Sequence, residues 1–220
     1  MLPQNEEKLD KIRKDIDRLG VTITQASEVA LECLLSDDKE RFNEVRDKLK
    51  NVDADANQAD NEIVTSLALF GAEAGDLREL VSYLKITNEF VRMADNLRGF
   101  AKNMAVYLDD VDRFLTLKEY ILQLYKASMS AVTTAANLIK DHDNIEELYR
   151  KVQVEESKSD DLYALMEKNI LDFGALSADF RANHAKILGT VRKLEKMADR
   201  AVAVAKLVLF ARSGGELKLH

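Results

Sequence analysis

Phe70-Gly71-Ala72-Glu73-Ala74-Gly75-Asp76-Leu77-Arg78 returns later in the chain as Phe173-Gly174-Ala175-Leu176-Ser177-Ala178-Asp179-Phe180-Arg181. In both stretches Phe-Gly-Ala is followed, after three residues, by an aspartate, an apolar residue and an arginine. Further on, Met93-Ala94-Asp95 is matched by Met197-Ala198-Asp199 at an offset one residue longer. The chain therefore reads as two copies of one unit of about 105 residues. Phe-Gly suits a helix C-terminus, with Gly71 and Gly174 just beyond it, where left-handed backbone is free of a Cβ clash. Asp76 and Asp179 then fall in the first turn of the next helix, where a carboxylate complements the helix dipole. Arg78 and Arg181 are placed to bridge to that carboxylate or to a neighbouring helix.

Helical periodicity extends outward from these corners over nearly the whole chain. Leu9, Ile12, Ile16, Leu19, Ile23, Ala26, Ala30 and Cys33 recur every three or four residues, the stripe a helix buries against a partner. They define a first helix of about thirty residues, with Gly20 a tolerated weak point. Ser36-Asp37-Asp38 breaks it and caps a second helix that runs to about Phe70. A third spans about Ala74 to Leu108, with Phe90, Met93, Leu97, Phe100 and Met104 on one side. The acidic stretch Asp109 to Asp112 separates it from a fourth, opened by Thr116 and ending near Lys140. Asn144 and Glu147 resemble a capping pair for a fifth helix to about Phe173, and a sixth runs from about Ser177 to Arg212. The pattern predicts an all-α protein made of two tandem antiparallel three-helix bundles, 1–110 and 111–212, with a flexible tail at 213–220.

Composition agrees. A single proline and eight glycines in 220 residues, where average usage supplies roughly eleven and fifteen, leave too few turn residues for a many-stranded sheet. A net charge of −7 without a cluster of Lys, Arg and aromatics argues against nucleic acid. Cys33 is the only cysteine, so neither an intrachain disulfide nor a thiolate zinc site can form, which fits a reducing cytoplasm. The polar start, Met1 to Lys14, reads as neither a signal peptide nor a membrane anchor. The phosphate-binding, dinucleotide-binding and serine-hydrolase glycine motifs are absent. None of His142, His184 and His220 stands three residues after a glutamate, as di-iron carboxylate bundles require. His142 reads as an exposed turn residue. An enzyme is not expected.

Chemistry concentrates in acidic pairs at helical spacing. Glu195 and Asp199 are four apart on the sixth helix and share a face beside the seam Val191, Leu194, Ala198, Ala201 and Ala205. Glu156 and Asp160 form a second such pair on the fifth. Residues equidistant from a helical hairpin lie level, which puts Glu195 beside Glu156 and Asp199 beside Val152. Four carboxylates converging from two helices can hold a hard or borderline cation. The counterparts in the first half are Asp53 and Asn57, and Val91 and Asp95, a poorer set in which Asp53 and Asp95 are the candidate ligands. Arg192, Lys196 and Arg200 surround the sixth-helix pair, so a salt-bridged, solvated face is the competing reading.

The repeated motifs, Val91-Arg92-Met93-Ala94-Asp95 and Glu195-Lys196-Met197-Ala198-Asp199, each following an Asp-[Leu/Phe]-Arg, resemble those of the PhoU family of phosphate-signalling regulators. The resemblance extends over nearly the whole chain and implies two tandem three-helix bundles. It also implies, in some members, iron, manganese or zinc held by acidic pairs four residues apart. Glu195 and Asp199 match that motif in full and Glu156 and Asp160 resemble its partner. Val91 and Asn57 depart from it in the first half, as Ala72 and Ala175 do from a common proline. The implied role is a non-enzymatic negative regulator of phosphate uptake and the phosphate-starvation response. Such a regulator links the ATPase of a phosphate ABC transporter to a sensor histidine kinase, and it is cytoplasmic and peripheral at the inner membrane through those partners. A homodimer is compatible with this role. The alternatives are an accessory protein of a Pit-type phosphate transporter and, from another class, a carboxylate-bridged metalloenzyme or metal store.

Overall fold

The computed structural model describes residues 3–70, 74–108, 111–140, 144–172 and 178–215. Among these, the chain forms α1 Pro3–Ser36, α2 Phe42–Leu49, α3 Val52–Phe70, α4 Ala74–Tyr107, α5 Val111–Asn137, α6 Ile145–Asp172 and α7 Ala178–Ser213. The Phe-Gly corners, with Gly71 and Gly174, lie outside the described residues, as do His142 and His220.

Helix α1 ends where Asp37 turns into left-handed backbone (φ 55°). The Asp38 N–H reaches back to the Cys33 carbonyl (3.1 Å), and Asp38 Oδ1 accepts from the Arg41 N–H (3.1 Å), so this acidic turn closes α1, while the cap position of α2 falls at Arg41, without a side-chain capping bond. The expected second helix is divided. At Lys50 the N–H bonds the Asp47 carbonyl, three residues back at 3.4 Å, and Asn51 restarts the ladder by accepting from Asp55. Asn and Asp side chains compete for backbone bonds and hold a helix weakly here. The buried positions Phe42, Val45, Leu49, Val52, Ala56, Ala59 and Ile63 keep three-four spacing through the break, so one apolar stripe serves both pieces.

The fourth expected helix also begins earlier than its acidic lead-in suggested. Val111 and Asp112 already belong to α5, because an aspartate in a first turn complements the dipole instead of ending the helix. At α6, Asn144 stands at the cap position with its carbonyl accepting from Leu148 (3.0 Å). No side-chain bond joins Asn144 to Glu147 in the reciprocal manner of a capping box.

Helices α1, α2 with α3, and α4 pack together as one three-helix bundle, and α5, α6 and α7 as the other. The most extensive helix contact joins the two bundles, α4 against α7, and α1 lies on α5 beside it. The predicted stripes of α1 and α4 are buried throughout, and one hydrophobic core runs unbroken from Leu9 to Val208 across both bundles. Gly20 sits where α1, α4 and α5 meet: a Cβ placed there lies 3.0 Å from Ala136 Cβ and 3.3 Å from Phe90 Cζ. The residue read as a weak point in the helix is a point of close approach between bundles. Among the described residues no helix is long and apolar enough to cross a membrane.

Candidate functional site

The inward edge of α7 is set by Val191, Leu194, Ala198 and Ala201, all fully buried. Burying that seam turns the adjoining positions 195 and 199 toward α6 at the rim of the core. On α6, Val152, Ser159 and Met166 go fully inward, and Ser159 Oγ shares a 2.9 Å hydrogen bond with Ser128 Oγ of α5. Glu156 and Asp160 are thereby left on the side facing α7.

Carboxylate oxygens of Glu156, Asp160 and Asp199 lie within 4.8 Å of one another. Asp199 therefore meets Glu156 and Asp160, and not Val152, which lies in the core. The pairing is displaced by about one turn from that of an ideal symmetric hairpin. Glu195 stands one turn from Asp199 on the same face, with its Oε2 buried and without a hydrogen-bond partner. Burial, followed by repulsion from Asp160 and Asp199, pushes the Glu156 carboxyl above the usual carboxylate range. Burial and Asp199 do the same to Asp160. Glu195 is likewise raised by burial first and Asp199 next, with Lys196 acting against them. The cluster is acidic, crowded and underneutralised.

The two flanking arginines are directed elsewhere, and Lys196 acts on Glu195 through its charge alone. Arg200 Nη1 donates to Glu89 of α4 at 2.8 Å, across the join between bundles. The Arg192 guanidinium lies 5.8 Å from the Tyr163 ring centre, an attraction of positive charge to the aromatic face. Among the described residues, none of Glu156, Asp160, Glu195 and Asp199 takes a salt bridge from Lys or Arg, so this is not the salt-bridged face that charge spacing alone allowed.

The corresponding place in the first half is arranged differently. Arg98 Nη2 lies 2.7 Å from Asp53 Oδ2 of α3 and 3.2 Å from Asp95 Oδ1 of α4. Asn57 is exposed, and Val91 packs on the core. The spacing of Arg98 three residues after Asp95 was the sequence signal for this bridge. Two turns earlier on α4, Thr87 Oγ1 donates to Asp60 Oδ1 (2.6 Å), and burial raises the Asp60 carboxyl against that bond.

A polar network outside the acidic pairs escaped the sequence reading. Buried Glu79 near the start of α4 receives Arg13 of α1 through two bonds of 2.7 and 2.8 Å and the Tyr83 hydroxyl at 2.7 Å. Arg212 of α7 stands 4.0 Å away. Burial pushes Glu79 up, but the hydrogen bonds and charges of Arg13, Tyr83 and Arg212 more than reverse this and leave it below its ordinary value. Arg78, expected to bridge to Asp76 or a neighbouring helix, forms no ion pair among the described residues. Its Nε is buried without a partner, and its guanidinium stands where a Cβ at Gly214, beyond the end of α7, would meet it at 3.5 Å. The side chains of Asp179, Arg181 and His184 lie outside the described set.

Comparison with known proteins gives a consistent result. Residues 16–104 match the family model of the PhoU domain. A "Phosphate-specific transport system accessory protein PhoU homolog" of Zymomonas mobilis is 23% identical over 96% of this chain and 88% of its own length. The crystal structure of PhoU from Pseudomonas aeruginosa superposes with a TM-score of 0.84 at 19% identity, covering 96% of this chain and 99% of that one. That of the phosphate transport system regulatory protein PhoU from Streptococcus pneumoniae gives 0.76 at 21%, covering 97% and 99%. The chain thus matches a PhoU domain in its first half, aligns with PhoU homologues along nearly its whole length and shares the fold of the solved PhoU structures.

Proposed function

We propose that this protein is a non-enzymatic accessory regulator of phosphate uptake, which lowers the phosphate-starvation response when phosphate is plentiful. In this reading it acts as an adaptor between the ATPase of a phosphate ABC transporter and a sensor histidine kinase, peripheral at the membrane through those partners. The observation that carries the reading is similarity along nearly the full chain to proteins named as accessory to phosphate-specific transport. Rigid bundles with long outer helical faces also suit docking of a partner's helix or domain. Deleting the gene tests it: alkaline phosphatase activity should rise in phosphate-rich medium, and unchanged repression sinks the idea. Co-purification with the tagged transporter ATPase, and not with a Pit-type carrier, separates the two transport contexts.

The same reading includes a divalent cation between α6 and α7. Two oxygen ligands on one ion at about 2.1 to 2.4 Å lie no more than about 4.2 to 4.8 Å apart, and the spacing within 4.8 Å of Glu156, Asp160 and Asp199 meets the outer end of that range, with a smaller ion drawing the carboxylates closer. The buried unpartnered Oε2 of Glu195 offers a further donor. Iron, manganese or zinc are the expected ions, and an all-oxygen set suits manganese and ferrous iron better than zinc. The cation would supply charge neutralisation and cross-link the helices, with Glu156 and Asp160 holding it from α6 and Asp199 from α7. Equilibrium dialysis of the purified protein against Mn2+ checks this, with binding expected for the native chain and lost in the Asp160→Asn, Asp199→Asn double variant.

A further inference from the structure

The repeat offset that matches Asp95 with Asp199 also matches Arg98 with Val202 and Val91 with Glu195. At the first-half position the guanidinium reaches Asp53 at 2.7 Å and Asp95 at 3.2 Å, tying α3 to α4. Its Nε points to the Ala94 carbonyl at 3.4 Å on its own helix. At the second-half position the side chain is aliphatic. Val202 packs, half-buried, on the core, while the nearby arginines Arg192 and Arg200 are directed to Tyr163 and Glu89. The two halves thus place acidic groups at matching points of a helix pair and treat their charge in opposite ways.

We infer that Arg98 is the permanent resident cation of the first half, standing where the second half has an acidic site open to a diffusible divalent ion, so that metal addresses only the α6–α7 pair. A guanidinium suits the task because its fixed fork of N–H donors matches carboxylate oxygens and its charge is not titrated away. Covalent attachment makes the α3–α4 bridge independent of metal supply. Replacing Glu195 by Val91 and Asp160 by Asn57 removes two negative charges from the first half, leaving a pair that one monovalent group can largely neutralise. In the second half, among the described residues, no Lys or Arg forms a salt bridge with any of Glu156, Asp160, Glu195 and Asp199, three of which cluster within 4.8 Å. The inference rests on the reading that a divalent cation binds between α6 and α7, and its test separates the two.

The test exchanges the residues. Val202→Arg should place a guanidinium beside Asp199 and lower Mn2+ affinity, read from the free-Mn2+ resonance signal, by at least about tenfold, with helical content and cooperative unfolding retained. Arg98→Val should leave the α6–α7 binding unchanged and give a weak second Mn2+ response. In an Asp160→Asn, Asp199→Asn background, millimolar Mn2+ should raise the melting temperature only when Arg98→Val is also present. Undiminished Mn2+ binding by a folded Val202→Arg chain overturns the inference. So does a folded Arg98→Val chain in that background with no Mn2+ response. If the native chain binds no Mn2+ while Arg98→Val gains a response, the α6–α7 reading fails and the role of Arg98 stands. Should Val202→Arg not fold, the Arg98→Val arm decides.

Discussion

Glu79 shows what one buried charge contributes. It is 6% exposed and is satisfied by the forked Arg13 bond and the Tyr83 hydroxyl, so a single carboxylate joins α1 to α4. Glu79→Gln should reduce stability by about 2 kcal/mol in urea unfolding, the scale of hydrogen bonds to a charged group. Its folded-state pKa is held below the ordinary value of 4.5, so its stabilisation is fully present above that value and is lost as pH falls through the lower folded one. The native protein should lose stability below about pH 4.5 more steeply than the Gln variant. At the acidic cluster the effect of a substitution should depend on the ion. Asp160→Asn should stabilise metal-stripped protein by about 0.5 kcal/mol, because it removes like-charge repulsion, yet abolish the rise in melting temperature that Mn2+ gives the native chain. The acidic residues themselves were legible from four-residue spacing. The place of Glu195, beside the three-carboxylate group and not within it, was not, because a one-turn displacement between helices is a matter of packing and leaves no mark on either helix alone. The Glu79 network was invisible for the same reason, since Arg13 and Glu79 are 66 residues apart.

Among the elements, the stripes were readable because burial repeats with the helical period, and the buried faces of α1, α4 and α7 fall where the spacing put them. Breaks were harder to read. Lys50-Asn51 divides a helix without interrupting its apolar stripe, so a reading based on hydrophobic period passes straight over it. The meaning of a glycine also depends on what faces it. Gly20 meets Ala136 and Phe90 at contact distance, whereas nothing lies within 4 Å of a Cβ at Gly189 in α7. Gly20→Val should therefore destabilise by about 1 to 3 kcal/mol through overpacking. Gly189→Ala should stabilise by up to about 1 kcal/mol through helix propensity. Chemical denaturation of both variants checks the contrast, and equal effects of one sign would contradict it.

For the whole molecule, the repeat revealed two bundles, but no stretch of sequence announced that they share a core. That follows from the α4–α7 and α1–α5 contacts, supported by the Glu89–Arg200 ion pair and by a hydrogen bond of 3.0 Å from Asn103 to Thr190. Urea unfolding should accordingly give one transition, coincident by circular dichroism and by tyrosine fluorescence, since tyrosines lie in both halves. Two separated transitions would show that the halves unfold independently. The join has a further consequence. Helix α1 corresponds in the repeat to α5, and α4 to α7, so each of these helices packs against its own counterpart. That is the pattern of a self-complementary two-fold interface, here enclosed within one polypeptide. A single three-helix copy would cover its exposed seam by pairing with an identical copy, and both acidic sites would then have to carry the same residues. Duplication followed by fusion lifts that symmetry: once both copies lie on one chain, arginine can settle at position 98 while valine holds position 202, and the two sites are free to take separate roles.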